Sequence, residues 1–294
     1  MPSFFPLRTF LVLGRVSNLP TVWTNVAVGW FLSGGGWTAE LGWVALGMSL
    51  VYVSGMTLND AFDAEWDREH AAGRPIPSGR IGRRAVWAAG FVQLAVGVAV
   101  LLGLSSVHPL LAAGLVAAVI LYNWLHKRWA GSVLIMGLCR ALVYVGAGSA
   151  VAAHTRALEV PITLVVIAAG VVVYIAGLTL AARREHLAGP LSLRLVPRLM
   201  LMLPVLFPLI SARAVSKEAI FLALMAAGVL VTAAWLALVR RTLARRVPQG
   251  VAFAIAGVAL YDAAVVAFAD WRAAVACLVC FALTLGLQRV VPAT

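Results

Sequence analysis

The chain has 294 residues, 63% of them hydrophobic and only 12% charged, and a mean hydropathy of +0.97 leaves too few charges to cover a soluble globule. Its formal net charge of +12 would suit nucleic acid, but the basic residues stand in short clusters between apolar runs rather than along one face with interleaved aromatics, which excludes that partner. Composition selects an all-α, polytopic membrane helix bundle, read as a single domain over residues 1–294 because no linker or low-complexity segment divides it.

Residues 4–13 are apolar enough to mimic a signal-peptide core. Arg8 interrupts them, Pro6 breaks a helix and no small-residue cleavage site follows, so they read as an uncleaved interfacial lead-in. Candidate spans follow at 18–35, 41–60, 84–104, 109–126, 132–153, 160–182, 196–211, 217–239, 251–269 and 271–290. The run 196–211 is short and carries Pro204 and Pro208, and the last two runs are separated by two residues at most, so nine crossings and ten both fit.

With the N-terminus cytoplasmic, eighteen of the 23 basic residues fall inside, among them Arg15, Arg68, Arg74, Arg80, Lys127, Arg128, Arg183, Arg184 and Arg240. Only Arg156, Arg213, Lys217 and Arg272 fall outside, and Arg140 lies within the bilayer. The positive-inside rule thus predicts a multi-pass protein of the plasma or inner membrane, surrounded by membrane lipids, with its N-terminus in the cytoplasm. Cys139, Cys277 and Cys280 all lie in apolar runs, and Cys277 and Cys280 read better as small apolar neighbours one turn apart than as a redox pair.

Five of the eleven acids gather between residues 58 and 70, where the second apolar run ends. At 100° per residue, with Asn59 at 0°, Asp63 falls at about 40°, Asp67 at about 80° and Asp60 at about 100°, so all four share one helical face; Glu65, at about 240°, does not. Three carboxylates and an amide are hard oxygen donors that suit Mg²⁺, which commonly binds through one or two carboxylates plus substrate phosphate. A merely solvated helix end is the alternative, and it gives no reason for acids at i, i+4 and i+8.

Asn59-Asp60-x-x-Asp63-x-x-x-Asp67 resembles the first aspartate-rich motif, NDxxDxxxD, of the UbiA-type intramembrane prenyltransferases, and Arg74-Pro-Ile-Pro-Ser-Gly-Arg80-Ile is similar to its RPIPSGRI continuation. Residues Arg15 to Asn25 resemble the start of that family's first spanning helix. The similarity covers most of the first half and fades after about residue 150. It implies a nine-helix bundle around a lipid-accessible cavity. Mg²⁺ held by the acids binds the diphosphate of a prenyl diphosphate, whose ionisation gives an allylic cation for a small-molecule or lipid acceptor to capture. Carried over, Asn59, Asp63 and Asp67 ligate metal with Asp60 in a supporting catalytic role, Arg74 meets the diphosphate, and Asn18 and Asn25 are candidates for the acceptor cavity.

Tyr122-Asn-Trp-Leu-His126-Lys127-Arg128 looks like the family's Tyr-to-Lys-Arg motif, which implies Tyr122, Lys127 and Arg128 as diphosphate-side groups; on their own the two cations read equally as a topological anchor. Arg140, about two turns below, is a functional candidate by its depth alone. It either reaches the diphosphate or forms a packing ion pair with Asp262. Tyr144 either shields a carbocation with its π face or is a packed aromatic.

The departure from the family lies at Thr179 to Gly189. There a second acid-rich motif is expected, and Ala181 stands where one acid would be. Glu185 is the one carboxylate left to ligate metal, beside Arg183 and Arg184, which would replace a second Mg²⁺ electrostatically or serve only topology. The altered motif is similar to that of an outlying subgroup, the UbiA-like EboC group. The sequence leaves prenyl chain length, acceptor and oligomeric state open. It keeps two further readings on the same fold, terpene cyclisation and sugar-phosphate transfer to a lipid phosphate. A transporter or flippase would predict repeat symmetry and a midplane site on broken helices, and neither is seen.

Overall fold

A short helix, α1 (Leu7–Leu13), and a 3-10 turn at Val16–Asn18 lead into α2 (Leu19–Leu32), a helix that packs against several of the others. There follow α3 (Ala39–His70), α4 (Arg83–Gly103), α5 (Pro109–Leu125), α6 (Ser132–Val151), α7 (Ile162–Ala182), α8 (Leu195–Met202), α9 (Ala219–Leu243), α10 (Val247–Val266) and α11 (Trp271–Leu287). The structure, a computed structural model, describes residues 7–152, 160–182, 195–202 and 219–293, and no strand occurs among them.

Among the described residues, six helices are long and apolar enough to cross a membrane, and α5 and α11 are shorter apolar helices. The predicted runs and the helices agree to within a few residues except at two places. Only the start of the run 196–211 is described, as α8, so the choice between nine and ten crossings falls outside the described residues. The predicted run 41–60 is the second, because α3 continues to His70.

That extension has a local cause. Nothing between Ala61 and His70 breaks a helix, and the chain stops only at Ala71-Ala72-Gly73 with Pro75 close behind. At 1.5 Å per residue, 32 residues reach about 48 Å, well beyond a hydrocarbon core of about 30 Å. The acid-bearing turns therefore stand at one end of the bundle, where they need not be carried through lipid.

Pairs of helices consecutive in sequence, α3 with α4, α6 with α7, α9 with α10 and α10 with α11, pack as antiparallel neighbours, and α2 lies against α6, α10, α11 and α3. Small residues let the backbones close up where α2 crosses α6 and α6 meets α7. A Cβ on Gly29 would fall 2.1 Å from the carbonyl oxygen of Tyr144, and one on Gly137 would fall 2.6 Å from that of Val172. Outward-facing apolar side chains such as Phe91, Val92 and Val96 on α4 are exposed, as a lipid-facing surface requires.

Candidate functional site

The site begins at the end of α3. Asn59, Asp60, Asp63 and Asp67 are all buried, between 1% and 6% exposed, on the face that helical spacing puts together. Glu65 points away and pairs at the surface with Arg83, 2.8 Å distant. Carboxylates near a helix C-terminus oppose the negative end of the macrodipole, so cations must hold them there.

Those cations come from three separate segments. The first is the loop after α3, which is pinned by Ile76 and Ile81 in a small apolar cluster with Leu13, Ala61, Ala64 and Val86. Its turn is closed by Ser78 N–H to the Arg74 carbonyl, with Gly79 at φ +74°, a conformation that favours glycine. Arg80 staples the loop by donating to Ser78 Oγ and to the Gly73 carbonyl. So folded, the loop turns Arg74 back over α3, where Nη1 bridges Asp60 at 3.1 Å and Asp67 at 3.3 Å.

The second is the turn between α1 and α2. Arg15 occupies the left-handed region at φ 43°, the one described non-glycine residue at positive φ, and such strain persists where the surroundings enforce it. Its guanidinium lies 3.4 Å from Asn59 Oδ1 and 3.8 Å from Asp60. The third is the end of α5, where His126 Nε2 meets Asp63 at 3.0 Å and Lys127 Nζ lies 3.6 Å from the same carboxylate. Lys127 also sits over the Trp66 ring, and Tyr122 stacks on His126. Asn123 joins α5 to α3 by accepting from Asn59 and donating to the Gly55 carbonyl.

One oxygen, Asp67 Oδ1, is buried with no hydrogen-bond partner. A buried carboxylate oxygen left unpaired is costly, and it points to a cation-binding position. Among the described residues no three carboxylate, imidazole or thiol side chains converge into an all-protein cage. Mg²⁺ does not require one, since it keeps water and takes substrate phosphate as ligands. Asp63 and Asp67, one turn apart, buried and oxygen-only, fit that ion together with a phosphate-bearing ligand.

Below the acids opens a cavity of about 1100 Å³, counting the space at its mouth. Its lining is largely apolar, with Met48, Val51, Leu115 and Val143 among the wall residues, and Arg15, Tyr52, Tyr122, Asn123 and Arg140 supply polar and aromatic points. Water-excluding walls beneath a charged head are suited to a ligand with an anionic end and an apolar tail.

Several predicted residues are corrected by their surroundings. Tyr144 is fully buried behind the wall with its hydroxyl on Asp262, so its ring does not line the cavity; Tyr122 and Tyr52, the latter 5.3 Å from the Arg140 guanidinium, are the aromatics that do. Asn25 is likewise fully buried outside the lining, because the α2–α6 contact closes over it; it accepts from Arg140 and donates to Asp262. The expected Arg140–Asp262 pair is therefore spaced by an amide rather than direct.

Asn18 does line the cavity, but both ends of its amide are occupied: Nδ2 donates to the Ala293 carbonyl at 2.9 Å and Oδ1 accepts from Gln288. Asn59 has its oxygen toward Arg15, not toward Asp63, because Asn123 takes its NH₂. Arg128 is exposed over Trp124, and among the described residues no ion pair joins it to the acids. Arg183, Arg184 and Glu185 lie outside the described residues.

Arg15, His126, Asn123 and Tyr52 belong to the site although no role was predicted for them. An amide inside the apolar run of α5 was a usable sign of Asn123. Nothing local distinguishes Arg15 from the other interfacial arginines.

Residues 20–187 match the profile described as the UbiA prenyltransferase family. A digeranylgeranylglyceryl phosphate synthase of Methanopyrus kandleri is 30% identical over 118 residues, 40% of this chain. The match spans 44% of that relative's length, less than half. Among solved structures, a UbiA homolog from Aeropyrum pernix K1 superposes with a TM-score of 0.67 at 19% identity, covering 86% of this chain and 97% of the other. A UbiA homolog from Archaeoglobus fulgidus, bound to DMAPP and Mg²⁺, gives 0.59 at 15% identity, covering 87% and 99%. At these identities the likeness to solved structures is one of fold.

Proposed function

This chain belongs to the UbiA prenyltransferase family, and from that premise we propose that it moves a prenyl group from a prenyl diphosphate to a small aromatic or lipid acceptor, with Mg²⁺, at the cytoplasmic face of the membrane. The observation that carries the reading is the joint placement of three buried carboxylates of α3, cations from three other segments and an apolar cavity directly beneath. The DMAPP and Mg²⁺ bound to the Archaeoglobus fulgidus homolog support the same ligand pair here, and the name of the Methanopyrus kandleri relative supports prenyl transfer as the reaction.

Asp63 and Asp67 would hold Mg²⁺ with the diphosphate, and Asp60 would keep Arg74 at hand. Bound there, the ion supplies charge neutralisation and Lewis acidity to the diphosphate. The remaining work belongs to the protein. As the allylic C–O bond breaks, its electron pair leaves with the bridging oxygen, and Arg74, Arg15 and Lys127 exchange carboxylate for diphosphate oxygens as negative charge grows there. The apolar walls keep water from the cation, and the Tyr52 and Tyr122 rings face the space it occupies. The acceptor nucleophile would form the new bond to carbon and give up its proton to the released diphosphate.

The test is to incubate protein in lipid nanodiscs with Mg²⁺ and a series of prenyl diphosphates, with and without a lipid and small-phenol extract, and to follow diphosphate release and prenylated product. Asp63→Ala with Asp67→Ala should lower release at least ~100-fold, the scale of a lost metal or electrostatic contribution. Equal release by the doubly substituted protein would overturn the reading. Movement of the substrate across the bilayer without a covalent product would favour a transporter.

A further inference from the structure

Of the four acids buried among the described residues, three lie on the α3 face and the fourth, Asp262 on α10, is 0% exposed and has no part in the chemistry above. Its Oδ2 accepts from Thr24 Oγ1 and from Asn25 Nδ2 at 2.8 Å, and its Oδ1 accepts from the Tyr144 hydroxyl. All three donors are neutral. A carboxylate inside the membrane is costly without a cation, and the cation in this network is Arg140, reached through Asn25: Arg140 Nη1 donates to Asn25 Oδ1 at 2.8 Å.

The amide between them is polar in a fixed sense. Its NH₂ faces the two oxygens of Asp262 and Tyr144, so its carbonyl must face Arg140. Reversed, it would set NH₂ against guanidinium and oxygen against carboxylate, losing three hydrogen bonds together. A pair serving only to lock the helices would join Arg140 to Asp262 directly. Here the spacing amide stops the guanidinium at the cavity wall, near the Tyr52 ring, where it is among the lining groups.

We propose that Asp262 is a positioning residue, which through the fixed orientation of the Asn25 amide holds the Arg140 guanidinium at the wall facing the occupant of the cavity. The identity of that occupant rests on the prenyltransferase reading; the positioning does not. Arg140 touches the ligand, and Asp262 acts through it.

The relay is tested on the full chain in nanodiscs by the rate at which phenylglyoxal modifies Arg140 without ligand, read by peptide mass spectrometry. Asp262→Asn and Asn25→Ala should each raise the rate about tenfold, the weight of one charge-assisted hydrogen bond, and the two together no further. Tyr144→Phe leaves the Asn25–Asp262 contact and should stay within about twofold of wild type. A wild-type rate for Asp262→Asn beside a raised rate for Asn25→Ala overturns the relay, as does a tenfold rise for Tyr144→Phe. If Asp262→Asn does not fold, Asp262→Glu, which keeps the charge but moves the carboxylate by one methylene away from Asn25, is read in its place, with a raised rate expected and a wild-type rate overturning the relay. Binding of geranyl diphosphate with Mg²⁺ gives the second readout: Asp262→Asn and Arg140→Met should weaken it, and the double substitution should match Arg140→Met within about twofold. Multiplying effects overturn the proposal. A wild-type chain that binds no geranyl diphosphate overturns the prenyltransferase reading, while the labelling result still stands for or against the relay.

Discussion

Replacing Arg74 by methionine separates the electrostatics of the site from its chemistry. Arg74 Nη1 is the described hydrogen-bond donor to Asp67, at 3.3 Å, and the nearer of two cations to Asp60, at 3.1 Å against 3.8 Å for Arg15. Methionine keeps much of the packing and removes the charge, leaving two buried carboxylates short of a partner. Breaking a fully buried pair costs about 3–5 kcal/mol. The Arg74 side chain is 27% exposed, and solvent relieves part of the loss, so about 2 kcal/mol is a fair expectation. At a fixed scan rate that lowers the unfolding midpoint in nanodiscs by roughly 4–8 °C. Mg²⁺ should then restore stability, since a cation that binds only the folded site adds about 1.4 kcal/mol at ten times its Kd, and the emptied position binds it more tightly than wild type does. The assay is the unfolding midpoint against Mg²⁺ concentration for both proteins, with Ca²⁺ as a check on ion size. An Arg74→Met protein as stable as wild type, or a Mg²⁺ shift no larger than the wild-type one, would refute the claim that Arg74 stands where cationic charge is needed.

Three further outcomes follow from the packing. Gly29→Ala should destabilise by about 1–3 kcal/mol or more in denaturant titration, because its Cβ meets the Tyr144 carbonyl at 2.1 Å, whereas Gly114→Ala, whose Cβ would find Leu142 at 3.9 Å, should be close to neutral. Asp270 caps α11 by accepting from Ala273 N–H at 2.9 Å and also holds the Trp37 indole, so Asp270→Ala should cost about 1 kcal/mol. Slight burial opposes the charge there, but these hydrogen bonds outweigh it and hold the Asp270 carboxyl below its ordinary value; the stabilisation is therefore full above about pH 4 and is lost as pH falls through the lowered value. Asn18→Ala removes the latch on Ala293 and Gln288, and thermolysin, which cuts before bulky apolar residues, should then cleave ahead of Val290 several times faster than in wild type, with equal rates counting against the latch.

The acidic face could be read from sequence because it depends on a single helix. Once residues 59–67 are helical, 100° per residue decides that Asn59, Asp60, Asp63 and Asp67 share a side and Glu65 does not, and neither neighbours nor lipid can alter that. Arg74, Lys127 and Tyr122 were likewise within reach, through the resemblance of their segments to a family pattern. Tyr144, left between a cavity-lining and a packed role, could not be placed from sequence for the opposite reason. Its position one turn beyond Arg140 says nothing of which way α6 is rotated against α2, and the close crossing at Gly29 turns it away from the cavity.

What the sequence determines by itself is whatever composition and local periodicity control. The apolar runs require a membrane bundle because unpaired backbone cannot cross lipid, and the spacing of the acids requires a polar face at one end of α3. The tertiary structure alone decides which cation each acid meets. Arg15 reaches Asn59 and Asp60 from 44 and 45 residues away, His126 reaches Asp63 from 63 away, and Asp262 reaches Asn25 from 237 away. These meetings depend on how helices cross and rotate against one another, and on a loop anchored by Ile76 and Ile81, which no pattern within one helix encodes.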